Sequence, residues 1–507
     1  MEEGSWLLKI ELLSGLLVLA FILIFWGASS GRILVEGLTH LHIGDPVIMR
    51  ALYFSTWQAL LSGLLASVIA IPLGYINSTY EYPGRRLVEV LTTLPFTLPS
   101  SAVALAFLLL VNQGLLPRGW IPIVLAHAYF NFGMVAQMVS SSLSTISERV
   151  EEAAEVLGAG WFDKVRRLVI PLAARGVAYG FFLTFSLSFT SFAIPLLLGG
   201  PKYRTLEVEI YSLYKVFVDP GRASAAALLQ LAVTMLFALP IMEREATTSE
   251  VRRRRRSLLA SIFPWAVTIL SSLPLAYLIF RSMYDPVTDR LNLRAWLSLI
   301  SYDPTLGISP ISSVVNTLIF SLEATLIVLL MSVLFVLSYR TRRLILTMTS
   351  LSLGTSSITM ALGLILLSRS APRWVLMVLT YAFIALPFTL RAVNAGISGV
   401  SQEVIEAAET LGMSRQDALV RVALSISRPA LLVGLFYSLA LATSETTASY
   451  FLASTETQTL TVATLKYASA RKFQMASITS VLVMAITASY LLFKWVMELR
   501  AKWLRSE

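Results

Sequence analysis

The sequence of 507 residues contains no cysteine and only three histidines, and charged residues make up 14% of it. The absence of cysteine excludes disulfides, thiolate metal sites and cysteine nucleophiles. Three histidines leave little material for a zinc or haem centre, so we expect neither a metal site nor a cofactor. The G-x-x-x-x-G-K-[ST] phosphate loop is missing, as are H-E-x-x-H and G-x-S-x-G motifs. These absences predict a chain that is not an enzyme and has no ATPase site of its own.

Apolar residues account for 56% of the chain, and its mean hydropathy is +0.73. A soluble domain has about 25% charged residues, so an apolar excess of this size is expected to face lipid. A spanning helix needs about 20 apolar residues, and twelve segments meet that criterion, which predicts an all-α membrane protein with about twelve transmembrane helices. The predicted spans are residues 6–26, 51–76, 87–111, 121–140, 176–198, 223–242, 257–280, 312–337, 344–367, 374–390, 430–452 and 476–496.

The distribution of basic residues predicts how these spans are oriented. Most of the 40 Lys and Arg fall on the cytoplasmic side if both termini are placed there, as the positive-inside rule requires. The arginine run at residues 252–256 could form a nucleic-acid patch, but a cytoplasmic anchor for the seventh span is the favoured interpretation. We therefore expect a multi-pass protein of the cell membrane, with the lipid bilayer and no nucleic acid as a partner.

The chain repeats itself at a shift of 254 residues, in a polar stretch between predicted helices. Residues 152–158 (EAAEVLG) correspond to residues 406–412 (EAAETLG), with six of seven positions identical. The correspondence extends to Asp163 with Asp417 and to Arg167 with Arg421. Such a parallel duplication predicts two six-helix halves around a pseudo-two-fold axis along the membrane normal. The halves are residues 1–242 and 258–507, joined by a basic cytoplasmic linker at 243–257.

Each copy of the repeated motif predicts a helical elbow, at about residues 147–170 and 401–424. Ser147 and Ser401 can cap a helix start, Glu and Ala are good helix formers, and Gly158 and Gly412 can leave the helix with positive φ. One such loop would be compatible with an ordinary amphipathic loop helix. Two nearly identical copies at corresponding places favour a docking element.

The elbow motif resembles the E-A-A loop of the permeases of binding-protein-dependent ABC importers, which implies the type I importer permease fold. In that family the loop is a coupling helix that docks into the ATPase subunit. The resemblance implies two ATPase subunits, which bind the ATP, and an extracytoplasmic substrate-binding protein as partners. The second copy departs from the pattern at Ser425, where the first has Pro171. The implied docking residues are Glu152, Ala153, Ala154, Gly158, Glu406, Ala407, Ala408 and Gly412.

Fused permeases of about this length resemble the thiamine, iron(III) and aminoethylphosphonate importers. The segments 189–193 (FTSFA), 198–201 (LGGP) and 205–211 (TLEVEIY) look most like the thiamine permeases, and iron(III) permeases share much of the same pattern. The resemblance therefore implies thiamine or iron(III) as the substrate, with aminoethylphosphonate as a further possibility.

Glu445 is a charged residue inside a predicted span, and its repeat counterpart is Ser191. A buried charge in a membrane helix indicates function by default because its burial costs several kcal/mol. In the resembled family these two helices line the translocation path. We hypothesise that the polar residues here face the passage and favour a cationic cargo; they are Glu445, Ser444, Thr446, Thr190 and Ser191. The alternative is a structural carboxylate hydrogen-bonded between packed helices.

Two other classes of protein are compatible with twelve spans. A secondary transporter of the major facilitator kind also has two six-helix halves, and the loop 83–86 (PGRR) faintly resembles one of its motifs. Such a transporter would give the repeated elbows no role. A structural or assembly membrane protein would need neither the elbows nor a polar lining around Glu445.

Overall fold

The computed structural model describes residues 2–42, 44–144, 156–160, 163, 166–167, 170–242, 255–285, 289–368, 370–397, 402–414 and 417–506. Helices dominate this part of the chain. In the first half they are α1 (Glu2–Ile22), α2 (Ala28–Thr39), α3 (Pro46–Thr79), α4 (Arg85–Thr97), α5 (Ser100–Asn112), α6 (Trp120–Ser144), α7 (Ile170–Phe189), α8 (Ala193–Leu198), α9 (Leu206–Lys215) and α10 (Pro220–Met242). A π-helical turn, Leu23–Gly27, joins α1 to α2.

The second half repeats this order of elements. Its helices are α11 (Ile262–Met283), α12 (Pro310–Leu337), α13 (Arg342–Leu353), α14 (Ser357–Leu367), α15 (Arg373–Gly396), α16 (Gln402–Thr410), α17 (Leu424–Ser444), α18 (Thr447–Leu452), α19 (Leu460–Ser469) and α20 (Phe473–Ser506). The π-helical segment Ala418–Ala423 precedes α17. Each half therefore contains one long helix that is interrupted near its end, α7/α8 in the first and α17/α18 in the second.

Long helices start where capping residues predict. Asp45 accepts hydrogen bonds from the N–H groups of Val47 and Ile48 at the start of α3, and Pro46 occupies the first helical position. Ser309 and Pro310 do the same for α12. A side-chain acceptor satisfies an otherwise free N–H group, and proline lacks one, so both residue types favour a helix start.

The number of continuous spans differs from the sequence prediction. Among the described residues, nine helices are long and apolar enough to cross a membrane, and up to ten if a bent pair counts as one span. The bent pair is α4 and α5, which meet at 95° within the segment predicted as the single span 87–111. Pro99 lies at the bend, where it cannot donate a backbone hydrogen bond and disfavours helix at Leu98. The predicted spans 176–198 and 344–367 are likewise split, into α7/α8 and α13/α14.

The first spanning helix of each half packs against the other half. Trp26, in the π-helical turn before α2, donates to Thr355 (Nε1 to Oγ1, 2.8 Å), and Ser29 of α2 contacts Met360 of α14. In the corresponding contact from the second half, α11 packs against α5, and Trp265 donates to the carbonyl of Pro83 at 3.1 Å. The two halves are therefore interlocked rather than placed side by side.

Two short strand pairs hold the loops. β1 (Tyr80–Glu81) pairs in parallel with β2 (Arg255–Arg256), which ties the end of the linker to the first half. β3 (Tyr284–Asp285) pairs antiparallel with β4 (Arg290–Leu291). These contacts hold the loops at both ends of α11.

One ion pair joins the start of α3 to α10, and another joins the loop before α12 to the start of α20. Arg222 lies 2.7 Å from Asp45, and Lys472 lies 2.5 Å from Asp303. Hydrogen bonds from Lys472 and Thr305 hold the pKa of the Asp303 carboxyl below its ordinary value. Each half thus has an ion pair that ties its last long helix to the loop before its second span.

The interlocked packing can be tested at Gly363 of α14. A Cβ atom at this position would lie 2.6 Å from the carbonyl oxygen of Ser29, so we expect Gly363→Ala to lower stability by about 1–3 kcal/mol through overpacking. The matched control is Gly31→Ala in the facing helix α2, where a Cβ would meet nothing within 4 Å. Thermal unfolding of the purified chain measures both. Equal midpoints for the two variants would contradict the close contact between α2 and α14.

Candidate functional site

The second elbow has the shape that its sequence predicts. Helix α16 ends at Thr410, and Gly412 adopts a φ of +88°. The N–H of Met413 binds the carbonyl of Ala408 at 3.1 Å, and the N–H of Gly412 binds that of Glu409 at 3.0 Å. This is the Schellman pattern, which turns the chain sharply at a glycine.

The described part of the first elbow matches the second. Gly158 has a φ of +77°, close to that of Gly412. The Arg167–Asp163 pair (3.4 Å) corresponds to the Arg421–Asp417 pair (3.0 Å). The predicted docking residues Glu152, Ala153 and Ala154 lie outside the described residues.

Each elbow exposes a leucine immediately before its glycine. Leu157 and Leu411 are equivalent in the repeat, and the exposed fraction of each is 86%. In α16, Glu406 and Ala407 are also exposed, whereas Ala408 is buried. One face of α16 therefore packs on the protein, the other is exposed and mainly polar, and Leu411 adds an exposed apolar side chain at the turn that follows. We call the side of the molecule that carries Leu157 and Leu411 the elbow face. The other side, which carries the loop between α5 and α6 and the loop before α12, is the opposite face.

The predicted path residues lie at the helix interruptions. Thr190 and Ser191 occupy the break between α7 and α8, and Glu445 and Thr446 occupy the break between α17 and α18. The prediction that Glu445 lies within a helix is wrong: its backbone is extended, with ψ at 119°, and α17 ends at Ser444. The polar run at residues 443–449 is a sign of the break, but the prediction interprets it as the polar lining of a continuous helix.

Both breaks are closed by the same set of hydrogen bonds. Thr205 donates to the carbonyl of Ser191 at 3.3 Å, and Thr461 donates to the carbonyl of Glu445 at 3.0 Å. Backbone groups freed inside an apolar body need such partners because no water reaches them.

The helices that follow the breaks, α9 and α19, are anchored in matching ways. The N–H of Leu206 binds Ser55 Oγ at 2.7 Å, and the N–H of Leu460 binds Thr317 Oγ1 at 2.9 Å. These bonds make Ser55 of α3 the structural equivalent of Thr317 of α12.

The Glu445 carboxylate caps the short helix after the break. Its Oε1 accepts from the N–H of Ala448 at 2.8 Å, and its Oε2 lies 3.5 Å from Ser357 Oγ. Ser444 binds the carbonyl of Ala440, and Thr446 binds that of Ser444, so these hydroxyls satisfy local backbone. Glu445 is thus partly buried and hydrogen-bonded, and it makes no salt bridge with a described residue.

A second buried carboxylate, Glu207, lies across the boundary between the halves from Glu445. Gln230 of α10 donates to Glu207 Oε2 and accepts from Ser356 (3.1 Å) and Thr359 (3.0 Å) of the second half. Glu207 is fully buried and, in the described part of the chain, has no basic partner. Sequence reasoning did not select Glu207, although an acidic residue in the apolar segment around 206–213 is a signal. Its partner Gln230 lies in another helix, and nothing in the sequence around Gln230 indicates that the two residues pair.

Aromatic residues join the halves beside the two breaks. The rings of Phe192, Tyr211 and Tyr450 lie 5.4–5.5 Å apart, centroid to centroid. Phe192 belongs to the first break, whereas Tyr450 belongs to α18. The two predicted sets of path residues therefore meet through these rings and not through direct contact between Ser191 and Glu445.

Two stretches of the chain, residues 66–243 and 324–506, match the family described as "binding-protein-dependent transport system inner membrane component". The two matches together cover more than half of the chain. The chain belongs to this family. One match lies in each repeat, and the resemblance drawn from the elbows is confirmed at family level. Membership is at odds with the major-facilitator interpretation.

Two kinds of relative are similar to parts of this duplicated permease. The thiamine transport system permease protein of Brucella abortus (strain 2308) is 29% identical over 294 residues, covering 52% of this chain and 54% of the relative. That of Brucella suis biovar 1 (strain 1330) is 31% identical over 212 residues, covering 38% and 39%. The spermidine/putrescine transport system permease protein of Escherichia coli (strain K12) is 29% identical over 206 residues, covering 40% and 78%. The chain spans about half the length of the thiamine relatives it matches.

The buried network at the boundary can be tested with a double substitution. Gln230→Leu removes the donor to Glu207, and we expect a loss of about 1–3 kcal/mol because a buried carboxyl loses its partner. Adding Glu207→Met removes the stranded carboxyl and is expected to restore part of that loss. Thermal unfolding of the purified chain measures both. A double variant less stable than the single one would contradict a Glu207–Gln230 bond.

Proposed function

We propose that this chain is the permease subunit of an ATP-driven importer and forms its translocation path. Two ATPase subunits dock on the elbow face, which is cytoplasmic together with both termini. An extracytoplasmic binding protein delivers the substrate to the opposite face. The family membership supports the class of transporter, and the lack of a phosphate loop is consistent with ATP being bound by the partner.

The observation that carries the docking proposal is the pair of exposed leucines. Leu157 and Leu411 each project from an elbow whose turn is set by a glycine with positive φ. An apolar side chain exposed on a polar elbow is costly in water, and its repetition at equivalent positions favours a partner that binds twice. Rigid elbows would transmit closure of the ATPase dimer to α7 and α17, because each elbow leads directly into one of these helices.

The docking proposal predicts that Leu157→Glu and Leu411→Glu each weaken association with the ATPase by about tenfold or more, as expected when a central apolar contact is lost. The control is Leu115→Glu, a similarly exposed leucine between α5 and α6 on the opposite face. Co-purification and ATPase activity in nanodiscs provide the readouts. Unchanged association in both elbow variants would reject the docking proposal.

We propose an organic cation as the substrate, with thiamine the first candidate. The relatives reported above are named for thiamine and for spermidine and putrescine, which are cations. A buried carboxyl, Glu207, and a partly buried one, Glu445, have no basic partner among the described residues and would favour positive charge between the halves. Iron(III) and aminoethylphosphonate, which the resemblance also allows, are to be compared in the same uptake assay.

Substitutions at Glu445 separate its capping role from a role in transport. A glutamine can still accept the N–H of Ala448, so we expect Glu445→Gln to keep near-normal stability and to lower thiamine uptake about tenfold by loss of the charge. Glu445→Ala removes the cap as well and should lower both stability and uptake. Uptake into proteoliposomes and thermal unfolding are measured in parallel. Normal uptake by Glu445→Gln would leave only the structural role.

A further inference from the structure

The opposite face of the second half contains a polar cavity of about 250 Å³. It lies between the loop before α12 and the loop between α18 and α19. No lysine, arginine or histidine lines it. The lining residues are Tyr302, Gly307, Ser309, Ser312, Ser313, Asn316, Thr455, Glu456 and Gln458.

The cavity has one exposed carboxylate at its rim, and its wall contains a buried amide oxygen that is unpaired. The side chain of Gln458 is 3% exposed; its Nε2 donates to the carbonyl of Gly307 at 3.1 Å, and its Oε1 has no hydrogen-bond partner. An unpaired buried amide oxygen is costly. The carboxylate of Glu456 stands exposed at the rim and makes no salt bridge with a described residue. A ligand for this cavity is therefore expected to carry a positive charge that can meet the Glu456 carboxylate.

The equivalent place in the first half is filled by the protein itself. The Tyr203 ring packs against Phe54 in a tilted arrangement, 5.5 Å between centroids, where the second half has Thr457 and Asn316. The Asn316 amide instead binds the backbone carbonyls of Glu456 and Gln458. At this place polar residues of the second half replace an aromatic pair of the first.

The rims of the two places also carry opposite charge. Lys202 and Arg204 of the first half occupy the repeat positions of Glu456 and Gln458. Lys202 projects over the Tyr203 ring, 5.4 Å from its centroid, and is exposed. A partner that contacts both halves on this face meets basic residues on the first half and the acidic rim of the cavity on the second.

We infer that the cavity is a docking pocket for a lysine or arginine side chain of the extracytoplasmic binding protein. This inference rests on the proposed function. The pocket would fix which way round the binding protein sits on a permease whose halves otherwise share one fold. Complementary charge is well suited to that task because it steers encounter and penalises the reversed orientation.

The test uses the permease–ATPase complex in nanodiscs and a purified binding protein that stimulates its ATPase activity. At low salt, Glu456→Gln is expected to weaken binding about tenfold, and the difference from wild type should shrink at high salt as charges are screened. Ser312→Phe, at an exposed position on the pocket lining, should weaken binding at every salt concentration by blocking entry. The matched control is Asp289→Asn, which removes an exposed acid of the β3–β4 turn on the same face and should leave binding unchanged.

Each outcome decides one point. Unchanged affinity in both pocket variants would overturn the inference, and so would an equal loss in Asp289→Asn, which would indicate only the general charge of this face. Altered thiamine uptake with unchanged protein binding would assign the pocket to the cargo instead and also overturn it. If no binding protein stimulates the wild-type complex, the proposed function fails first, which is distinguishable from failure of the pocket variants.

Discussion

The need to satisfy backbone groups at two helix breaks inside an apolar body organises this structure. An unpaired N–H or C=O in hydrocarbon costs several kcal/mol, so a spanning helix can be interrupted only where other parts of the chain supply partners. Thr205 and Thr461 bind the carbonyls at the breaks, and Ser55 and Thr317 hold the N–H groups that start α9 and α19. Each break therefore fixes the short helices beyond it and ties them to α3 or α12. The elbows lead into the same interrupted helices, so a movement at the elbow face acts on the breaks through a rigid connection.

The two halves share this framework but differ in the side chains that surround it. Glu445 stands where the first half has Ser191, and Glu207 where the second half has Thr461. The Phe54–Tyr203 pair fills a place that is a polar cavity in the second half. Backbone hydrogen bonding constrains both copies alike, whereas the residues lining the boundary and the opposite face are free to diverge. A duplicated chain can in this way present an asymmetric substrate or partner with two different surfaces on one symmetric scaffold.

The sequence predicted the class of fold, the repeat and the elbows, because these depend on composition and on local patterns that survive in both copies. It did not predict the breaks at Glu445 and Thr190, because the apolar residues on either side of each gave one segment long enough to span and the polar residues between them were assigned to the path. It also missed the bend at Pro99, although a proline in a predicted span is a local signal. The network around Glu207 and the crossing of α2 and α11 to the opposite halves depend on contacts between residues far apart in sequence. The periodicity of apolar residues indicates local secondary structure and not contacts between distant residues, so a single sequence does not predict them.

The cap formed by Glu445 does not by itself explain why a carboxylate stands there. An uncharged acceptor would serve the N–H of Ala448 equally well, and it would avoid the desolvation of a charge. The first half supports the equivalent short helix α8 with Ser191 at this position, so the framework has no general need for an acid. Glu207, on the other side of the boundary, is also a carboxyl without a basic neighbour among the described residues. Its neighbours are an amide and hydroxyls. Two such carboxyls facing one boundary are costly while it is closed and become favourable when a cation enters between the halves. The proposed cationic substrate thus accounts for a feature that capping and packing leave unexplained.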